Sequence, residues 1–380
     1  MTDMGASGKV KSGKPTFRRT PISVRQLYGI VMQAMRQLRP TERITRVRIS
    51  SWMMVGMFAS RAVHLRKIAN HIPGAAKTLS KIRRLRRFLS NSAVQVREWY
   101  APQARALLAA AAAARGEIRL IVDGTKVGFG HQLLMVAVAY RRRALPIAWT
   151  WIKGARGHST SYKQEALLAY VRTLLPDNAH VLLVGDSEFG AVPLLRQMTA
   201  WGWHYVVRRK SDHLVQLTPK SGWQSFGSLI AHEGDQAWHR DARLTRKHAH
   251  PVHLYAYWHP GEDDPWLLAT NVPTARQTHR DYARRMWLEE MFGDFKGHGF
   301  DLESTHLRDF RRLSRLTLLV VLLYLWLITR GSQAIKAGDR HLVDRRDRRD
   351  LSLFHIGFCM IKRYLGNQRQ FFIRWIPYFA

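Results

Sequence analysis

The chain has 380 residues, with 61 Lys and Arg against 27 Asp and Glu, a formal charge of +34 and a pI of about 11.2. Charge of that size, spread along the whole chain, exceeds what solubility needs and points to nucleic acid rather than a membrane surface, because no basic amphipathic helix dominates. The single cysteine, Cys359, excludes an intrachain disulfide and fits a reducing cytoplasm, while 46% hydrophobic residues suffice for two or three folded units.

Residues 1–20 read as a disordered basic arm with Lys9, Lys11, Lys14, Arg18 and Arg19, and without the apolar stretch of a signal peptide. Residues 21–115 are patterned as helices and are expected to bind DNA ends. Within them, a short helix over 63–72 meets a turn at Pro73-Gly74, and a second helix covers 76–89. Leu79, Ile82, Leu85, Phe88 and Leu89 keep a three-to-four spacing there, and Lys77, Lys81, Arg84 and Arg87 supply cations. That is the pattern of a helix-turn-helix with a basic second helix; a helical bundle with a solvated basic face fits the same residues.

From residue 117 the periodicity changes. Runs 118–123, 132–140 and 145–152 read as three antiparallel strands, followed by helix 161–174, strand 181–185, helix 191–200 and strand 203–208. Three meandering strands and then helix-strand-helix-strand predict an α/β fold with a ribonuclease-H-like core over 116–330. The first strand ends on Asp123 and the fourth on Asp186, so the two would sit side by side. An Asp at such a place also serves as a turn or helix cap.

The segment 211–270 interrupts this order as a β-rich insertion, alternating as in Val252-His253-Leu254-Tyr255-Ala256-Tyr257. Its His248, His250, His253 and His259 lack the Cys partners and spacing of a zinc site and are better read as polar strand faces. A helix is then predicted over 281–296. Taking Tyr282 as zero, Arg285 falls at about 300°, Glu289 at about 340° and Lys296 at about 320°. Trp287, Leu288, Met291 and Phe295 fall on the opposite face. A lone carboxylate among cations suits a metal held beside a phosphodiester; alone, the stripe would equally be an ordinary charged surface. The apolar run 316–328 is shorter than the ~20 residues of a membrane span and is flanked by Arg311, Arg312, Arg315 and Arg330, so a core helix is expected. Residues 331–380 read as a C-terminal helical segment, with 354–365 a candidate dimer contact.

Asp123, Asp186 and Glu289 together make a set of hard oxygen donors. Such a set suits Mg2+, with Mn2+ as substitute, and two ions ~4 Å apart can activate an attacking oxygen and stabilise a leaving one. Tyr282, Arg285 and Lys296 would then hold flanking phosphates. No P-loop and no Gly-x-Ser-x-Gly elbow is present, so neither nucleotide-driven nor Ser-hydrolase chemistry is expected.

The spacing Tyr282-x2-Arg285-x3-Glu289-x6-Lys296, preceded by Asp123-Gly124-Thr125 and Gly185-Asp186-Ser187-Glu188-Phe189, resembles the signature of the insertion-sequence-four family of bacterial DDE transposases, over roughly residues 45–360. Ser187 departs from it, since relatives often carry Arg there. The resemblance implies cut-and-paste transposition in the bacterial cytoplasm, at the nucleoid: binding of terminal inverted repeats, cleavage through a DNA hairpin, and joining to target DNA by a homodimer assembled on double-stranded DNA. It implies a stacking role for Trp266 on a flipped base, and backbone contacts for Arg208, Arg209 and Lys210. Two other readings share the carboxylates. A ribonuclease-H-fold nuclease or resolvase would cut without strand transfer; the basic N-terminal unit and the β-insertion weigh against it. An inactive DNA-binding relative would need a decayed site, yet all three carboxylates and the four-residue stripe are present.

Overall fold

The computed structural model describes residues 23–128, 130–154 and 159–379, so the basic arm expected over 1–20 lies outside the described residues. Five helices come first: α1 (Val24–Leu38), α2 (Ile44–Ser60), α3 (Leu65–Asn70), α4 (Thr78–Ser90) and α5 (Val96–Arg115). The spacing in α4 has the expected effect. Ile82, Leu85, Phe88 and Leu89 are buried, and Arg83, Arg84, Arg86 and Arg87 are exposed. The link from α3 to α4 runs over residues 71–77, longer than the three or four residues of a tight helix-turn-helix. It is pinned by Lys81, whose ammonium donates to the Ile72 carbonyl at 2.5 Å. Gly116, with φ at 69°, ends α5 in the left-handed conformation that suits glycine.

The strands follow as β1 (Glu117–Val127), β2 (His131–Tyr140) and β3 (Arg143–Lys153), then α6 (Ser161–Arg172), β4 (His180–Gly185), α7 (Val192–Ala200) and β5 (His204–Arg208). β1, β2 and β3 form an antiparallel meander, and β4 and β5 continue parallel to β1. This mixed α/β arrangement fits a ribonuclease-H-like core. Next come β6 (Leu214–Gln216), β7 (Gln224–Ser225), β8 (Gln236–Leu244), β9 (His250–Tyr257) and β10 (Trp266–Thr270). The segment 211–270 is β-rich as expected, but it extends the central sheet. β10 pairs with β5, Leu268 opposite Arg208, giving ten strands in the order β3-β2-β1-β4-β5-β10-β9-β8-β6-β7. β5 would otherwise present an edge of unpaired N–H and C=O groups, and β10 satisfies it.

The chain ends in α8 (Ala275–Tyr282), α9 (Met286–Phe295), α10 (Phe310–Lys336) and α11 (Leu353–Gly366). α10 corrects the length argument made for 316–328. The whole helix has 27 residues and is long and apolar enough to cross a membrane by length and composition, but 89% of its most apolar window is buried inside the protein. It packs on α2, α4, α5, α11 and β3, so the expected core helix is present for a reason other than shortness. α11 lies so close to it that a Cβ on Gly357 would come within 1.9 Å of the Leu327 carbonyl oxygen. Phe354, Phe358, Ile361 and Leu365 are buried in that contact, so the apolar residues of 354–365, read as a candidate dimer surface, are occupied within the chain. One continuous apolar cluster runs from Leu27 of α1 through the sheet to Leu365 of α11.

Candidate active site

β1 outlasts its parallel neighbour. The last β1–β4 pair is Val122 with Gly185, so Asp123 and Asp186 follow side by side, on strands about 4.8 Å apart. Asp123 is therefore not at the end of its strand, as the Gly-Thr after it suggested. β1 continues along β2 to Val127, because Gly124, lacking a Cβ, leaves room for the Gln132 amide. Asp123 is 2% exposed and accepts the Gly124 N–H at 2.7 Å. Asp186 accepts the Ser187 N–H at 2.6 Å and caps a 3₁₀ turn at Ser187–Phe189. The capping role weighed from sequence is thus filled by Asp186. It uses one acceptor site of a carboxylate that has about four.

The helix predicted over 281–296 is broken. α8 stops at Tyr282, a 3₁₀ turn covers Ala283–Arg285, and α9 starts at Met286. In a 3₁₀ turn residues i and i+3 eclipse. Arg285 therefore swings over Tyr282, with its guanidinium carbon 5.9 Å from the ring centre, and Arg284 pairs with Asp281. From there Arg285 Nη1 reaches Asp123 Oδ2 at 3.0 Å and Glu289 Oε1 at 2.7 Å. Leu288, Met291 and Phe295 are fully buried behind, with Trp287 half-buried, as the apolar face required. Lys296 lies past the end of α9 and holds Glu303 at 3.0 Å, so it leaves the stripe drawn for an unbroken helix.

The electrostatics are those of one compact cluster. The charges of Asp123, Glu289 and Asp186 all act on Arg285, and with Tyr282 they outweigh burial and raise the guanidinium pKa. Burial pushes the Tyr282 phenol up to about 12, with Arg285 opposing and Asp186 assisting. Tyr282 is 2% exposed and its hydroxyl has no partner. It stays a phenol at neutral pH, a buried donor rather than an exposed one. Trp266, at the start of β10, meets the Tyr282 ring edge at 4.9 Å and the imidazoles of His259 and His279 at 4.4 and 5.3 Å.

A cleft of ≈ 710 Å³ opens beside Asp186, lined by Ser187, Arg208, Lys210 and Ser211 among others. Arg208 donates to the Pro265 carbonyl at 3.0 Å, and Lys210 is exposed. Arg209, expected on a DNA backbone, is 6% exposed, and its guanidinium donates to the Gly190 carbonyl. It is turned inward because Gly190 offers a buried acceptor, and burial lowers its pKa to about 10. Of the candidates on α4, Arg84 and Arg87 are exposed, far along the chain from the carboxylates, while Lys81 is tied to Ile72.

Two features escaped the sequence reading. Glu188 accepts the Ser159 N–H at 2.7 Å and the Gln132 amide at 3.3 Å, close to Gly124; its place two residues after Asp186 was the available signal. Arg143 of β3 binds Asp294 at 2.9 Å and Glu290 at 3.1 Å, clasping α9 to the sheet. Glu290 and Asp294 are four apart, on one helix face, which the sequence does display.

The three carboxylates have the hard-oxygen chemistry of a divalent-cation site. Among the described residues, no three His, Cys, Asp or Glu side chains close on a common metal position. Between Asp123 and Glu289 the cation is a guanidinium, and a site that fits a positive charge there is what the donor set requires.

The sequence model of the family described as "Transposase DDE domain" matches residues 115–326. The chain belongs to this family. It is a DDE transposase by domain, and domains of this family generally use divalent metal ions. No curated protein matches the sequence. Among solved structures, the chain is similar to one titled "Cryo-EM structure of piggyBac transposase synaptic complex with hairpin DNA (SNHP)", with a TM-score of 0.43 and 9% identity, over 91% of this chain and 78% of that one. At that level nothing about the reaction follows from the likeness.

Proposed function

We propose that this DDE transposase works by cut-and-paste, as a member of the insertion-sequence-four group with the Tyr-Arg-Glu-Lys signature. The observation that carries the reading is the bridge of Arg285 between Asp123 and Glu289 with Asp186 in register beside them. Asp123, Asp186 and Glu289 would hold one or two Mg2+ or Mn2+ ions. When bound, such ions supply Lewis-acid activation of the attacking oxygen and charge stabilisation at the leaving one.

The chain's own groups do the positioning. Arg285, freed from the carboxylates, turns to a non-bridging phosphate oxygen, and Tyr282 donates from its dry position. Arg208 and Lys210 line the path of the strand beyond Asp186, and Trp266 stacks on a base displaced as the flank bends into a hairpin. Helices within 21–115 recognise the inverted repeat through α4, and the core over 116–330 cleaves and joins. Two chains assemble on two DNA ends, in the bacterial cytoplasm at the nucleoid.

The test is a nicking and strand-transfer assay on duplexes carrying the inverted repeats that flank the coding sequence. Asp123→Asn, Asp186→Asn and Glu289→Gln should each abolish Mg2+-dependent nicking and retain end binding. Full cleavage by Glu289→Gln would remove it from the site. Nicking without any joined product would favour the resolvase-like nuclease.

A further inference from the structure

α4 carries two rows of guanidiniums, not one. At 100° per residue, Arg83 and Arg86 share one flank with Leu79, and Arg84 and Arg87 share the other, on either side of the exposed ridge. The rows face different hollows. Arg84 and Arg87 open onto ≈ 260 Å³ shared with Thr45, Arg46 and Ile49 of α2. Arg83 and Arg86 open onto a deeper cleft of ≈ 400 Å³, whose far wall is not in the N-terminal helices at all. It is Thr305, His306 and Leu307, between α9 and α10.

That cleft is built for an anion. Arg66, Arg83 and Arg86 line it, with His64 and His306 meeting edge to face at 5.3 Å, and no carboxylate is in its lining. Leu79, 61% exposed, stands at its side. Burial, then His306, Lys67 and Arg66, hold the His64 pKa below its usual range, against Asp301. An anion placed between the imidazoles would relieve that. The wall also leads to the catalytic face. Glu303, two residues before Thr305, holds Lys296 at the end of α9, and its carbonyl lies against Gly128, just beyond β1. Asp123 is five residues back along the chain, about 17 Å at strand spacing, roughly five base steps of a duplex.

We propose that the cleft between α3, α4 and residues 305–307 is a DNA-backbone site shared by the N-terminal helices and the catalytic unit. A helix of 10–12 Å diameter fits a major groove about 12 Å wide. With α4 in that groove, Arg84 and Arg87 meet one strand's phosphates. Arg83, Arg86 and Arg66 meet the other's, with His64 and His306 completing the site. The catalytic unit thereby holds the same duplex that α4 binds, and the distance from end recognition to cleavage is fixed. This rests on the transposase reading.

The experiment uses the full chain and a labelled 40-bp duplex of arbitrary sequence, titrated at several salt concentrations. Arg83→Gln with Arg86→Gln should flatten the slope of log affinity against log salt by about 1.8, two contacts at about 0.9 each. His306→Gln should weaken binding about fivefold, the worth of one ordinary hydrogen bond. Circular dichroism melts establish that both variants fold. A folded double variant with the wild-type slope, or His306→Gln with wild-type affinity, overturns the shared site. If the wild-type chain binds the duplex while the variants keep its slope, only the cleft assignment falls. If the wild-type chain itself binds no duplex, the proposed function falls with it.

Discussion

The arginines around the candidate active site and those of α4 are deployed in opposite ways. Arg119, Arg143, Arg284 and Arg285 each hold a carboxylate, mostly out of solvent. Arg83, Arg84, Arg86 and Arg87 are exposed, and none forms an ion pair to a carboxylate among the described residues. Paired, buried cations fix geometry, lose much when one partner is removed and respond weakly to salt. Exposed cations add little to folding and give their energy when counterions leave on binding a polyanion. One residue type is thus paired and largely buried in one region, and exposed without a carboxylate partner among the described residues in the other.

The sharpest way to break the comparison is at the clasp. Arg143→Ala leaves Asp294 buried without its partner and should cost about 3–5 kcal/mol in urea unfolding. A cost under 1 kcal/mol would mean the pair is a surface contact in practice. Asp294 adds a pH signature. Burial raises its pKa to about 7 despite Arg143. The folded state then binds a proton that the unfolded state has released, so stability falls as pH rises from about 4 to about 7 and is flat above, by at most about 4 kcal/mol. Asp294→Asn should remove that slope, and an unchanged slope would assign it elsewhere.

Next in size is Arg285→Ala. Loss of the guanidinium should slow nicking about 100- to 1000-fold, as for other preorganised charge-stabilising donors. The same change removes the cation that Asp123 and Glu289 already hold. Without DNA, Mn2+ should therefore bind the variant more tightly than the wild type, read by electron paramagnetic resonance titration. Weaker or equal Mn2+ binding would show that the guanidinium does not compete for those oxygens. On α4 the expectation reverses. Arg84→Gln with Arg87→Gln should change unfolding free energy by less than about 0.5 kcal/mol and still flatten the salt slope of duplex binding by about 1.8.

How far the sequence carried this picture depends on the range of the interactions. The strands of β1 to β5 and the helices between them were legible because their apolar runs are local and bounded by Gly and charge. The motifs singled out Asp123, Asp186 and Glu289; in the structure Arg285 joins Asp123 to Glu289, and Asp186 lies in register beside Asp123. What was not legible depends on contacts far apart in the chain. Whether 211–270 stands apart or joins the sheet turns on β10 finding the edge of β5, and Leu268 and Arg208 are 60 residues apart. The 3₁₀ break at Ala283–Arg285 departs from a pattern that any helical wheel draws as continuous; it accompanies the pairing of Asp281 with Arg284 and of Tyr282 with Arg285. Arg209 looked like its neighbours Arg208 and Lys210 until the buried Gly190 carbonyl claimed it.

The smallest expected effect lies at Trp266. Its ring is half-buried, met edge-on by Tyr282 and His259 and at a tilt by His279, and the neighbouring Pro265 carbonyl is fixed by Arg208. It belongs neither to the paired cluster nor to the exposed cations of α4, and it offers a π surface beside Tyr282 of the paired cluster. If a base leaves the stack when the flank bends, indole stacking is worth about 1–3 kcal/mol. Trp266→Ala should then spare the first nick and slow hairpin formation roughly 5- to 150-fold, with Trp266→Phe between. An abasic nucleotide at the displaced position should partly rescue the alanine variant, because the base no longer needs a partner. If Trp266 serves only to pack the ring cluster, the outcome differs in kind: the melting temperature drops, nicking and hairpin formation slow together, and the abasic end rescues nothing.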